Sequence, residues 1–457
     1  MKKQLFIALI LIICASATYS SEYYTNPFSL PSFLSFGAYN RYYRDTIEPR
    51  LLEVDFYNYQ PCAVRVFQDS DEVYTRALEL LDSAKTSIMF NMYLFGGTIG
   101  ERVINVLEKK REQGVKIYMV LPKTKSRSEQ NGNYYEYYGF YDEEFEPRMT
   151  RDSSVKPPYK QKISEVLKRN FPVVHTETSF LKGVRPVKVD HNKIILVDGV
   201  RAMVGGMNFA DTVAKNRDSL VEVVGPFVKE IEKIFINNWI LGYANEYTNL
   251  EQYNGIIAER EMRNVMRSGE FVEAKAFPTV TAPYAYNTLE PLLKMIDNAQ
   301  KSIYIAQLLF NEETLIKAVS KAALRGVDVK ILVDPATHLY SFDWKGGPNN
   351  KLLGTFQELK KAENAFNGEV RHFDIDPGQE LHLKLIIVDG EFVATGSTNF
   401  ATNAFDANYE AFFFFKSAGL ASIYESRFLW DWNNKSVVPD DLGLIEKITG
   451  LLSGIVF

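Results

Sequence analysis

The apolar positions of this 457-residue chain fall into two blocks that repeat one another. Residues 73–121 read as helix, strand, helix, strand, with landmarks at Ala84-Lys-Thr-Ser-Ile, Met89-Phe-Asn-Met-Tyr and Gly114-Val-Lys-Ile. Residues 289–334 give the same order, through Ala299-Gln-Lys-Ser-Ile, Tyr304-Ile-Ala-Gln and Gly326-Val-Asp-Val-Lys-Ile. The stretches before each glycine, Ile99 to Gln113 and Glu313 to Arg325, have apolar residues at helical spacing. Strand–helix–strand order predicts an α/β fold, a mainly parallel sheet flanked by helices. Further on, the apolar runs Ile194 to Val197 and Leu385 to Val388 each end in Asp-Gly, which predicts a buried strand followed by a tight hairpin. A second apolar strand then ends at Gly205 or Gly396.

The polar residues around these hairpins also repeat. His191 to Asn208 and His382 to Asn399 both read H-x-K-x4-D-x6-G-x-x-N without a change of spacing. Side chains of a strand alternate faces, so each His shares a face with the Lys two residues on, and each Asn lies in a loop returning toward them. An imidazole, an ammonium and an amide converging on one point suit a phosphodiester. The ammonium and amide donors hold non-bridging oxygens. A neutral imidazole attacks phosphorus, and a second one protonates the leaving alkoxide. Two roles need two histidines, which the doubled motif supplies. Asp198 and Asp389 belong to the repeated string and are grouped with the catalytic residues His191, Lys193, His382 and Lys384. Because each precedes a glycine, a turn-forming role stays open for both. His175, His338 and His372 have no duplicate partner and are read as surface or core residues. Gly205, Gly206 and Gly396 read as positions of close backbone approach.

Over residues 63–435 the chain resembles the phospholipase D superfamily, whose two-copy members face both motifs across a single active site. The second copy matches fully, including Ser397; the first departs at Gly206, where the family usually has serine. The first copy, with Gly-Gly-x-Asn followed by Phe-Ala-Asp, is similar to that of bacterial cardiolipin synthases. The resemblance implies a single-chain pseudo-dimer with its cleft between the halves. It implies that Asn208, Asn399 and Ser397 hold the phosphate and that a downstream carboxylate orients each imidazole. The matches for that carboxylate are Glu410, in Asn-Tyr-Glu, and Asp218, which is offset by one residue. It also implies His191 as nucleophile and His382 as general acid and base, although the sequence is symmetric between them.

The remaining features bound this picture. Hydrophobic residues make up 46% and charged residues 24%, an ordinary globular balance. A formal charge of −5 argues weakly against a stable nucleic-acid partner, which usually meets a basic surface. There is no C-x-x-C, H-E-x-x-H or Walker-type loop, so neither metal nor cofactor is expected. Residues 1–17 have the form of a signal peptide, a basic start, a short apolar core and Ala15-Ser16-Ala17. An exported protein, periplasmic or secreted and in peripheral contact with a membrane, is therefore expected. The expected organisation continues with a lead-in at 18–62, halves at 63–245 and 275–436, a linker at 246–274 and an amphipathic tail at 437–457. The first half carries about twenty extra residues before its histidine. They fall in the aromatic stretch Lys123–Tyr159, either a lid on the site or a surface excursion. The tail stripe of Leu444, Ile445, Ile448, Leu451, Leu452 and Ile455 suits docking onto the protein or a membrane surface. Function is expected to be phosphodiester chemistry on glycerophospholipids, by hydrolysis or by phosphatidyl transfer to an alcohol, with an exported nuclease as the alternative. Because both motifs lie in one chain, no oligomer is needed to complete the site.

Overall fold

A computed structural model describes residues 48–122, 173–176, 179–181, 185–242, 250–335, 347–444, 446–448 and 450. The expected signal peptide, residues 18–47 of the lead-in, the insertion at 123–159, His338 and residues 451–457 lie outside the described residues.

The first half comprises β1 (Gln60–Phe67), α1 (Ser70–Asp82), β2 (Ser87–Met92), α2 (Gly97–Glu112), β3 (Lys116–Pro122), β4 (Val173–Thr176), the small pair β5 (Ser179–Leu181) and β6 (Arg185–Lys188), β7 (Lys193–Val197), β8 (Arg201–Gly205), β9 (Leu220–Val224) and α3 (Val228–Leu241). After α4 (Gly255–Ser268), the second half comprises β10 (Val272–Ala282), β11 (Ala285–Tyr286), α5 (Leu289–Asp297), β12 (Ser302–Gln307), α6 (Glu313–Leu324), β13 (Asp328–Val333), α7 (Asn350–Ala362), β14 (Gly368–Phe373), β15 (Lys384–Val388), β16 (Phe392–Gly396), α8 (Thr402–Asp406), β17 (Glu410–Lys416), α9 (Ala418–Asn434) and β18 (Ser436–Val437).

All but β5 and β6 join one sixteen-stranded sheet. Its two sides run in the same order outward from the middle, β1-β9-β8-β7-β2-β3-β4 and β10-β17-β16-β15-β12-β13-β14. Antiparallel pairing of β1 with β10, Gln60 opposite Ala276 through Val64 opposite Val272, joins the halves into a continuous sheet. The pseudo-dimer is thus built on backbone hydrogen bonds as well as side-chain packing.

The α/β architecture matches expectation, but the strands are not mainly parallel. Among the described strands, only β2 with β3, β3 with β4, β12 with β13 and β13 with β14 run parallel. Each parallel pair follows a long crossover, whereas β7–β8 and β15–β16 are joined by three-residue hairpin loops, 198–200 and 389–391, which force antiparallel neighbours.

Both faces of the sheet are covered, which explains why the motif strands are apolar throughout. Ile194 and Leu196 of β7, with Leu385 and Ile387 of β15, point into a core shared by both halves beneath α3 and α9. The alternate residues Ile195 and Val197 pack under α1 and α2, and Ile386 and Val388 under α5 to α7. The stretch expected as a linker contains α4, whose Val265 and Met262 pack on Ala63 and Val224, and also the start of β10. In the described part of the tail, Leu442 packs against the second-half core and Lys447 pairs with Glu358 at 3.0 Å, while Leu444 and Ile448 are exposed. No helix among the described residues is long and apolar enough to cross a membrane.

Asp198 and Asp389 are hairpin residues, which corrects their grouping with the catalytic set. Each has positive φ (55° and 56°) and precedes a glycine that also does (64° and 67°), the backbone of an Asp-Gly hairpin. Asp198 accepts from the backbone N–H of Lys85, Thr86 and Ser87 at 2.7–3.0 Å; Asp389 accepts from Gln300, Lys301 and Ser302 at the same distances. Each carboxylate therefore ties its hairpin to the loop entering β2 or β12. It sits one strand length, roughly 16 Å, from the lysine at the other end. Asp198→Ala removes an acceptor from three N–H groups and puts alanine at positive φ. It should cost about 2–4 kcal/mol in denaturant unfolding, with kcat of the folded fraction retained. Asp198→Asn, which tolerates that φ, should cost less.

Candidate active site

His191 and His382 are brought together at the junction of the halves, their ring centroids 6.3 Å apart. Both are buried, only 7% exposed, as are the Lys193 and Lys384 side chains. The backbone around each histidine is held by the opposite half. His191 N–H donates to Tyr409 O at 2.9 Å, and Tyr409 N–H donates to Val189 O at 2.8 Å. The mirror arrangement has His382 N–H donating to Arg217 O at 2.9 Å and Arg217 N–H donating to Glu380 O at 2.8 Å. Tyr409 and Arg217 immediately precede Glu410 and Asp218, so these bridges deliver each carboxylate to the histidine of the other half.

The side chains complete that exchange. Glu410 Oε2 lies 3.0 Å from His191 Nδ1, and Asp218 Oδ2 lies 2.6 Å from His382 Nδ1. His191 Nδ1 also approaches the Ser397 carbonyl oxygen at 2.9 Å. A carbonyl only accepts, so Nδ1 carries the proton and Nε2 keeps its lone pair. Asp218 imposes the same tautomer on His382. The one-residue offset of Asp218 in the sequence disappears in the sheet: Gly205 pairs with Leu220 and Gly396 with Phe412, which puts Asp218 and Glu410 at equivalent positions. The difference in length lies in the loop before them.

Electrostatics follow from burial. Loss of solvent holds the His191 imidazole below its ordinary value, with Lys193 and Lys384 acting in the same direction and Glu410 against it. Burial, then Lys384, pushes His382 well below the usual histidine range. Burial also lowers Lys384 to about 8 and Lys193 well below the lysine range, while it raises Asp218 to about 6. At neutral pH these directions give neutral imidazoles beside an ionised Asp218. Lys193 and Lys384 each donate to the carbonyl of their own histidine, which holds both buried lysine side chains beside the pair.

The remaining expected residues divide. Asn208 is buried and its Oδ1 accepts from Leu94 N–H at 3.1 Å, leaving the donor end of the amide for an anion. Asn399 Oδ1 is buried with no partner among the described residues, so an incoming donor or water would satisfy it. Ser397 differs from expectation. Its hydroxyl accepts from Ala411 N–H at 3.0 Å and faces Ala411 O at 3.3 Å, so it bonds β17, and it is the Ser397 carbonyl that reaches His191. His372, read as a bystander, sits on β14, where burial lowers it to about 4.

Two features escaped the sequence reading. Tyr93, at the end of β2, sets its ring edge-on to His191 at 4.8 Å and beneath Lys193 Nζ at 5.0 Å. Its residue type carries no catalytic signal, and Tyr93 stood out only as part of an apolar strand landmark. Behind His191, buried Asp190 accepts from Asn192 Nδ2 at 2.9 Å and from Asn91 Nδ2 at 3.1 Å, and burial raises it to about 6. Its counterpart in the second half is Leu381, so the repeat gave no sign of this cluster.

Chemically, two imidazoles lie within reach of one ligand, with a lysine beside each. Rings whose centroids lie 6.3 Å apart can flank a single phosphate group. With one ring neutral and the other doubly protonated, one phosphorus atom can be attacked from one side while its leaving group is protonated on the other.

The chain is similar to known proteins over both halves. A family model described as "Cardiolipin synthase, PLD-like domain" matches residues 77–239 and 292–432. A cardiolipin synthase of Staphylococcus aureus is 24% identical over 403 residues, 84% of this chain and 68% of its own length. Cardiolipin synthase A of Pseudomonas fluorescens is 24% identical over 356 residues, 76% of this chain and 64% of its own. Among solved structures, a phosphatidylserine synthase of Haemophilus influenzae has a TM-score of 0.55 at 15% identity, over 82% of this chain and 87% of that one, a likeness of fold. With both half-sites inside the two matched segments, the chain belongs to the cardiolipin synthase family of phospholipase D-like proteins.

Proposed function

We propose that the protein is a phosphodiesterase or phosphatidyltransferase that acts on glycerophospholipids through a phosphohistidine intermediate. The observation that carries this reading is the facing pair of imidazoles, each with Nδ1 held by a carboxylate of the opposite half. The naming of the relatives as cardiolipin synthases supports lipid as the substrate class. In the first step His191 Nε2 forms a bond to phosphorus. The P–O bond to the leaving alcohol breaks, and that oxygen takes a proton from His382 Nε2. In the second step water or another alcohol gives its proton to His382 and attacks phosphorus, and the P–N bond breaks. Lys193, Lys384 and the Asn208 and Asn399 amides stabilise the equatorial oxygens as charge builds. Glu410 and Asp218 stabilise the imidazolium that each partner becomes.

The experiment is an assay of the purified enzyme on mixed phospholipid vesicles with and without ethanol. Headgroup release, or a phosphatidylethanol product when ethanol is present, is the expected result. No turnover of any phospholipid, together with cleavage of single-stranded DNA, would overturn the lipid reading in favour of the nuclease.

The pKa directions set the pH profile. Reaction needs one neutral and one protonated imidazole in the free enzyme, and the pair titrates as a unit. Burial places both below the ordinary histidine value, so the singly protonated pair is populated below about pH 6.5 and is lost as pH rises. kcat/KM should therefore already be falling at pH 6.5 and keep falling as pH rises, with a further loss above about 8 where the Lys384 ammonium deprotonates. A flat profile from pH 6 to 9 contradicts this.

Glu410→Gln and Asp218→Asn test the crossed carboxylates. Either exchange should lower kcat by about 10²–10⁴ in steady-state assays while the protein stays folded, because an amide can present its N–H to Nδ1 and select the wrong tautomer. His191→Ala, His382→Ala and their combination should all lose several orders of magnitude, the double change little worse than either single one.

A further inference from the structure

The two half-sites solve one backbone problem in different ways. In the second half the N–H at the start of β17, Ala411, is satisfied by the Ser397 hydroxyl at 3.0 Å, which frees Glu410 to extend to His191. At the equivalent place in the first half the residue is Gly206, with no hydroxyl, and the corresponding N–H belongs to Ser219. That N–H donates instead to Asp218 Oδ1 at 2.8 Å, while Oδ2 of the same carboxylate holds His382 at 2.6 Å. The space that a serine would fill at position 206 is taken by Asp218: a Cβ on Gly206 would overlap Oδ1 and stand 3.2 Å from Cγ. Asp218 is 1% exposed and bonded through both oxygens, so it cannot yield without losing the Ser219 N–H or the imidazole.

We infer that Gly206 is a positioning residue for His382, forming with Asp218 a single Gly/Asp unit that replaces the Ser/Glu unit of Ser397 and Glu410. The aspartate is one methylene shorter than the glutamate and folds back onto its own neighbour. Its second oxygen does the work of the absent serine hydroxyl, and only glycine leaves room for it. Inserting the serine found in the second half damages the site, and the two units exchange only as pairs.

This inference rests on His382 acting in the proposed reaction, so the test uses two readouts that need no lipid. One is the imidazole Nδ1–H resonance of His382 in protein labelled with ¹⁵N-histidine. The other is turnover of the chromogenic diester bis(4-nitrophenyl) phosphate. For Gly206→Ser we expect loss or marked upfield movement of the His382 resonance, an unchanged His191 resonance and a fall in kcat of about a hundredfold, the cost of a misplaced catalytic group. The double variant Gly206→Ser with Asp218→Glu copies the second half and should regain the resonance and at least tenfold of the lost rate. If the single variant does not fold, recovery of a folded double variant supports the pairing. Full activity with an unchanged His382 resonance in Gly206→Ser overturns the inference, as does a double variant no better than the single one. If the unaltered enzyme cleaves no diester, the functional reading fails on its own, and the resonances still decide whether Gly206 positions His382.

Discussion

The structure depends on a reciprocal exchange: each half holds the other half's histidine. Glu410 reaches His191 and Asp218 reaches His382, and the backbone bridges of Tyr409 and Arg217 carry the carboxylates there. Each of these two imidazole–carboxylate pairs draws its members from different halves. Tautomer, ring orientation and the separation of the rings are consequently properties of the docked pair. A cleft assembled this way is rigid where it matters, because moving either half relative to the other breaks hydrogen bonds on both sides of the substrate.

The sheet makes that exchange possible. Joining β1 to β10 leaves β7 and β15 on opposite sides of a pseudo-twofold axis, with their lysine ends together and their Asp-Gly hairpins far apart. The buried five-residue strands between set the distance between structure and chemistry within each motif. Asp198 and Asp389 anchor one end, and the lysines and histidines work at the other. Burial of the working end pushes the imidazoles and ammonium groups toward their neutral forms and Asp218 upward. The same desolvation strengthens every contact made to an entering phosphate.

Much of this was legible in the residues. Helix–strand order, the spans near Ile99–Gln113 and Glu313–Arg325 and both hairpins followed from periodicity and turn chemistry, because these are local properties. Strand direction was misjudged, since apolar runs buried on both faces look alike whether their neighbours run parallel or antiparallel. Tyr93 and Asp190 were missed for a related reason: neither carries a duplicated or chemically distinctive signature, and both matter only through what stands next to them.

The sequence by itself determined which residue types do chemistry and how far apart they lie along each strand, because spacing on an extended backbone translates directly into facing. It could not decide which carboxylate serves which histidine, whether a signature aspartate is an acid or a turn, or whether a serine hydroxyl meets substrate or backbone. Those depend on contacts between segments separated by between 14 and 219 residues of chain. Only tertiary structure, through the register of β8 with β9 and of β16 with β17, puts Gly206 against Asp218 and Ser397 against Ala411. A local pattern carries no record of the partner that will fill the space beside it.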